Sequence, residues 1–103
     1  MVITDPWPFE QPRNCAAFVT REVIDLEEPI LLVTHDSDDH GWQFIGSSDG
    51  TPENARIILL SEAVGLDPSL LQLADLPVGW HAWRDSPDNP WIREVDTDAT
   101  PTI

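Results

Sequence analysis

Residues 30–46, ILLVTHDSDDHGWQFIG, constrain the fold more than any other part of the chain. ILLVTH (30–35) is a continuous aliphatic and β-branched run, which suits a central strand buried on both faces. WQFIG (42–46) alternates instead, with Trp42, Phe44 and Gly46 on one face and Gln43 and Ile45 on the other. The connection between them, DSDDHG, is short, polar and closed by glycine, which is hairpin chemistry. Two strands joined this tightly pair antiparallel, so a sheet built on this hairpin is the framework the rest must join.

Four more segments read as strands: CAAFVT (15–20), RIILL (56–60, read as buried), WHAWRD (80–85) and WIREV (91–95). The last two are set to pair across the SPDNP turn. Thr51-Pro52 starts a short helical turn, and SEAVG forms one more, stopped by Gly65. The clearest helix is LDPSLLQLADL (66–76), with Asp67 as N-cap, Pro68 at the first helical position and Leu70, Leu71 and Leu73 as its buried stripe. Pro77 and Gly79 end it. The fold class expected is α+β: a mainly antiparallel sheet with one or two short helices packed on it, in a single compact domain spanning 15–93. Residues 1–14 form an extended proline-rich arm, held out of regular ladders by Pro6, Pro8 and Pro12. Trp7 and Phe9 on that arm are too apolar to stay in water and are expected to fold back onto the core. Residues 94–103 read as a frayed acidic tail.

Charge narrows the partners. The chain carries 19 Asp and Glu against five Arg, with no Lys, for a net charge of −14. Such a surface repels nucleic-acid phosphates and anionic lipid head groups, so neither nucleic acid nor membrane is an expected partner. A basic protein is. No stretch is apolar enough to span a bilayer, and the N-terminus lacks the basic and apolar regions of a signal peptide. The single cysteine, Cys15, sits in an apolar strand-like run and is read as a packing residue of a cytoplasmic protein. Nothing in the sequence specifies an oligomeric state.

The hairpin packs two histidines and three aspartates into residues 35–40. His35 and His40 with Asp36 or Asp38 are weak candidates for a metal site, since zinc takes imidazole and carboxylate ligands. No Cys-x-x-Cys or HExxH element accompanies them, and the glycine and final glutamate of a calcium loop are misplaced. Aspartate, serine and glycine are also ordinary turn formers, and the turn reading outweighs the metal one. No nucleophile elbow, phosphate-cradling loop or dinucleotide fingerprint occurs. A catalytic role and a cofactor are therefore not expected, and a metal-dependent hydrolase stands as the alternative.

Trp42, Trp80, Trp83 and Trp91 fall on separate strand segments or opposite parities, with Arg84 and Arg93 beside two of them. Tryptophan and arginine are the commonest interface hot spots, although core packing accounts for most tryptophans. Trp80 and Trp83 have opposite parity, so one faces the core and the other the surface. Asp36, Asp38 and Asp39 at the hairpin tip, with Trp83 and Arg84, form the contact surface expected for a basic protein partner. A regulatory scaffold module would use the same face without the basic preference.

The order Gly41-Trp42-Gln43-Phe44, then Leu66-Asp67-Pro68-Ser69-Leu70, then Pro77-Val78-Gly79 with Arg84 beyond, resembles a family of small bacterial domains of unknown function. That family is counted among the predicted immunity proteins of polymorphic toxin systems. The resemblance covers about residues 15–93 and carries no catalytic or ligand residues. It implies a bacterial protein that occludes a toxin's active surface. Trp80-His81-Ala82-Trp83 departs from the smaller or single aromatic residues of the pattern, which implies a different partner.

Overall fold

The computed structural model describes residues 7–37, 41–46 and 52–95. Six strands form one mixed sheet: β1 (Ala16–Thr20), β2 (Leu32–His35), β3 (Trp42–Ile45), β4 (Ala55–Leu59), β5 (Trp80–Trp83) and β6 (Ile92–Val95). Their spatial order is β4-β1-β3-β2-β5-β6, antiparallel everywhere except the β1–β3 pair. Two short α-helices, α1 (Arg21–Asp25) and α2 (Leu60–Leu66), and two 3₁₀ segments, Pro52–Asn54 and Pro68–Leu73, complete the fold. The class is α+β, as the hairpin and helix patterns require.

The hairpin sits where its sequence puts it. His35 lies opposite Trp42 and Leu32 opposite Ile45, and Asp36 N–H donates to the Gly41 carbonyl at 2.8 Å. β2 is central, flanked by β3 and β5, but it is not buried on both faces. Val33 and His35 are buried while Leu32 and Thr34 are half-buried, because no layer lies over the second face among the described residues. RIILL is likewise not a buried strand. β4 is an edge strand with Arg56 and Ile57 exposed, and Leu60 already belongs to α2. Both ends of its free edge are blunted: Glu62 Oε1 accepts the Leu59 N–H at 2.8 Å, and Arg56 Nη1 donates to the Ala55 carbonyl at 3.2 Å.

The helical region also differs from expectation. α2 runs through Gly65, which has open space around it, and the segment from Pro68 winds as a 3₁₀ helix rather than an α-helix. Asp67 does cap it, accepting from Ser69 N–H at 3.0 Å. A 3₁₀ helix turns every three residues, so Leu70 and Leu73 line up on the buried side and Leu71 faces out; Leu76, also buried, follows in the turn beyond, its N–H donating to the Leu73 carbonyl at 2.9 Å. α1 carries no sequence signal beyond buried Val23, and the chain leaves it through Glu27 at φ 55°.

Every one of these pieces packs on the same side of the sheet. Val23, Leu60, Ala63, Leu70, Leu73 and Leu76 form one buried cluster with the inward residues of the strands, Ala17, Val19, Val33, Trp42, Phe44 and Ala82. The N-terminal segment joins them: Phe9 is buried against Trp42, and Trp7 packs beside it. Gly46, the last inward position of the β3 strip, touches α1. A Cβ there would lie 2.9 Å from Val23 Cγ2 and from Glu28 Oε1, and 3.3 Å from the Pro29 carbonyl. Gly46→Ala is therefore expected to cost about 1–3 kcal/mol through overpacking, read as a lower urea midpoint at unchanged m-value.

Candidate functional site

Strand register decides what the other side of the sheet presents. One cross-strand row runs Ile57, Phe18, Gln43, Thr34, His81, Glu94 from the β4 edge to the β6 edge. A second runs Ile45, Leu32, Trp83, Ile92. Among the described residues no helix covers these rows. Ile57 is 67 % exposed and Phe18 and Ile92 are each 43 % exposed, while Ile45, Leu32 and Trp83 are half-buried. A dimple of about 20 Å³ between Phe18, Gln43, Ile45 and Ala55 has room for about one water-sized group.

Two carboxylates edge this apolar face, each held by a neighbour. Asp36, just past β2, accepts from Gln43 Nε2 at 2.9 Å. Glu94 on β6 accepts at one oxygen, Oε1, from His81 Nε2 at 3.1 Å and Trp83 Nε1 at 3.0 Å. The face thus has an apolar band, a polar row beside it and negative charge at the margins. An apolar centre with a polar rim is the anatomy of a contact surface.

Trp83 and Asp36 lie on this side of the sheet; Arg84 does not. One residue beyond β5, Arg84 points inward and is only 5 % exposed. Its Nη2 donates to Asp67 Oδ2 at 2.6 Å and to the Ile30 carbonyl at 2.9 Å, and Nη1 donates to Ser69 Oγ at 3.1 Å. Its guanidinium also lies 4.1 Å from the Trp91 ring centroid. The expected pairing of Trp83 with Arg84 as one contact surface is corrected on simple grounds: consecutive strand residues face opposite sides.

The same rule separates His35 from Asp36. His35 is buried at 4 % exposure, stacked on Trp42 at 4.0 Å, with Nδ1 donating to the Leu76 carbonyl at 2.7 Å. Asp38, Asp39 and His40 lie outside the described residues. Among the described residues, no group of three His, Cys, Asp or Glu side chains is placed to hold a metal ion. No described helix is long and apolar enough to cross a membrane.

The residues of this candidate site that the sequence pattern does not single out are Phe18, Ile57, His81 and Glu94. Alternation within each strand was visible, but which strands adjoin, and hence which outward residues meet, was not. On the inward side of β6, Arg93 Nη2 donates to Asp75 Oδ1 at 2.6 Å, and this guanidinium holds the Asp75 carboxyl below the usual carboxylate range. That contribution is present above the ordinary carboxylate pKa and is lost as pH falls through the depressed value. No family model, no curated protein and no solved structure matches this chain.

Proposed function

We propose that this chain is a non-catalytic binding domain that covers a basic surface on another protein, acting in the cytoplasm as the immunity proteins it resembles are expected to act. The observation that carries this reading is the uncovered apolar sheet face, edged by Asp36 and Glu94, in a chain of net charge −14.

Size and charge together select the partner. Strands about 4.8 Å apart and residues about 3.3 Å apart give six short strands a face of about 400 Å². A standard interface buries about 800 Å² per partner, so the rim must contribute as much as the face. Asp38 and Asp39 follow Asp36 closely in sequence and add two carboxylates to the same stretch of chain. A second copy of this chain would set like charge against like at that rim. A protein with basic residues around an apolar patch meets both halves.

The test uses Ile57→Asp and Ile92→Asp together. Both side chains are exposed but lie opposite Phe18 and Trp83, so each change should cost about 1 kcal/mol, and circular dichroism checks that the double variant is folded. Wild-type protein on a column is expected to retain from host lysate a basic protein that elutes as salt rises, while the double variant retains none of it. Retention of that protein by the variant would overturn the reading. So would a wild-type dimer in light scattering that the variant dissolves, because the face would then serve self-association.

A further inference from the structure

Glu94 differs from the other exposed carboxylates on this side of the sheet in being held by two donors at a single oxygen. His81 Nε2 and Trp83 Nε1 both donate to Oε1, and no described residue donates to Oε2. The side chain is nonetheless 53 % exposed. Two fixed donors remove most of the rotamer freedom that an exposed glutamate would lose on binding, so the carboxylate is preorganised for a third partner.

Among the described residues no arginine is placed to take Oε2. The chain has five arginines and no lysine, and each arginine has another engagement. Arg13 lies over Trp7, Arg21 pairs with Glu22, Arg56 donates to the Ala55 carbonyl, and Arg84 is buried with Asp67. Arg93 is the neighbour of Glu94 in sequence, yet it points to the opposite side, onto Asp75 and the Gln72 carbonyl. A cleft of about 480 Å³ opens at this end of β5 and β6, lined by Trp80, His81, Glu94, Val95 and part of Arg93, whose Nη2 is turned away to Asp75; Trp83 lies outside it.

We infer that Glu94, with Trp83 and His81, forms an anchor for an arginine side chain of the partner. This rests on the binding role proposed above. The indole N–H holds the carboxylate at the ring's edge, so attraction by the ring itself requires a cation broad enough to bond Oε2 and also reach over the Trp83 face. A guanidinium meets both demands, because it is planar, donates along its edge and stacks on its face. An ammonium meets only the charge. The interior already holds the same combination of groups: Arg84 stacks on Trp91 at 4.1 Å and pairs with Asp67 at 2.6 Å.

The experiment is a titration of ¹⁵N-labelled protein at low salt, following the Trp83 indole N–H signal. The probes are N-acetyl-arginine amide, its lysine counterpart and the neutral isostere N-acetyl-citrulline amide. The arginine probe is expected to shift Trp83 saturably, the lysine probe several-fold more weakly, and the citrulline probe not at all. In Glu94→Gln, which keeps an oxygen for His81 and Trp83, arginine affinity should fall about tenfold, as loss of a charge-assisted contact requires. Equal shifts from arginine and citrulline, equal affinity for arginine and lysine, or an unchanged Glu94→Gln titration would each overturn the anchor. The two proposals fail separately: a captured basic protein that ignores Glu94→Gln sinks only the anchor. Arginine binding with no protein partner sinks only the masking role.

Discussion

Arg84→Ala is expected to lower stability by about 3–5 kcal/mol, the usual cost of removing one partner from a buried ion pair. The size follows from what the guanidinium holds together. It reaches the Ile30 carbonyl with Nε at 3.1 Å and Nη2 at 2.9 Å, just before β2. It reaches Asp67 and Ser69 at the N-cap of the 3₁₀ helix, and it stacks on Trp91 at the entry to β6. Trp91 Nε1 in turn donates to Ser69 Oγ at 3.2 Å, and Ser69 donates to Asp67 Oδ1 at 2.7 Å. Alanine leaves the Ile30 carbonyl and Asp67 Oδ2 without this donor, and unmet desolvation adds to the lost bonds themselves.

Domains of this kind have about 5–15 kcal/mol in total, so Arg84→Ala should populate the unfolded state measurably at room temperature. Arg84→Lys keeps the charge but not the fork, and should fall between the two. Urea unfolding followed by tryptophan fluorescence and circular dichroism gives both numbers. A midpoint for Arg84→Ala within error of wild type would show that the network is replaceable by water. Where Arg84→Lys remains folded, binding through the open face should be unchanged, since the side chain is 4 % exposed.

Arg84 also shows where sequence reading stops. An arginine next to a tryptophan in an acidic chain looks like a surface hot spot, and nothing local says that Asp67, 17 positions earlier, is its partner. By contrast the β2–β3 hairpin, the inward set Trp42, Phe44 and Gly46, the Asp67 cap and the β5–β6 pairing were legible. Each rests on contacts between residues close in sequence or on a simple alternation. The sheet order is not of that kind. β1 lies parallel to β3, with α1 and β2 between them in the chain, and no residue string announces that neighbour. For the same reason the open face was invisible: Phe18, Leu32 and Trp83 become one surface only when register aligns three separate strands. The misjudged β4 illustrates the converse. RIILL has the composition of a buried strand, but position at the sheet edge decides exposure, and the blunting by Glu62 and Arg56 is a matter of geometry.

The other large effect is expected at Trp42, which is 1 % exposed. Trp42→Ala should cost about 3–5 kcal/mol, by lost transfer energy and by the cavity left in a rigid strand. The indole has three aromatic neighbours: His35 stacked at 4.0 Å, Phe9 edge-on at 5.2 Å and Phe44 at 6.2 Å. Its Nε1 donates to Gln11 Oε1 at 3.0 Å, while the Gln11 carbonyl accepts from Trp7 Nε1 at 2.7 Å. Trp42 is therefore both a core residue and the fastening of the N-terminal segment, and the two roles are separable. Trp42→Phe keeps most of the packing volume but removes the indole N–H that donates to Gln11 Oε1, which should cost about 1 kcal/mol for the bond and more if the ring leaves a gap. Its expected signature is local: cleavage by protease between residues 7 and 14 should speed up before global unfolding does. If Phe9 supplies core rather than decoration, as its 5 % exposure indicates, removing residues 1–14 should destabilise the sheet by more than Trp42→Phe alone. A truncated chain as stable as the full one would show that the inward face closes without the arm, and that Trp42 is held by His35 and Phe44 instead.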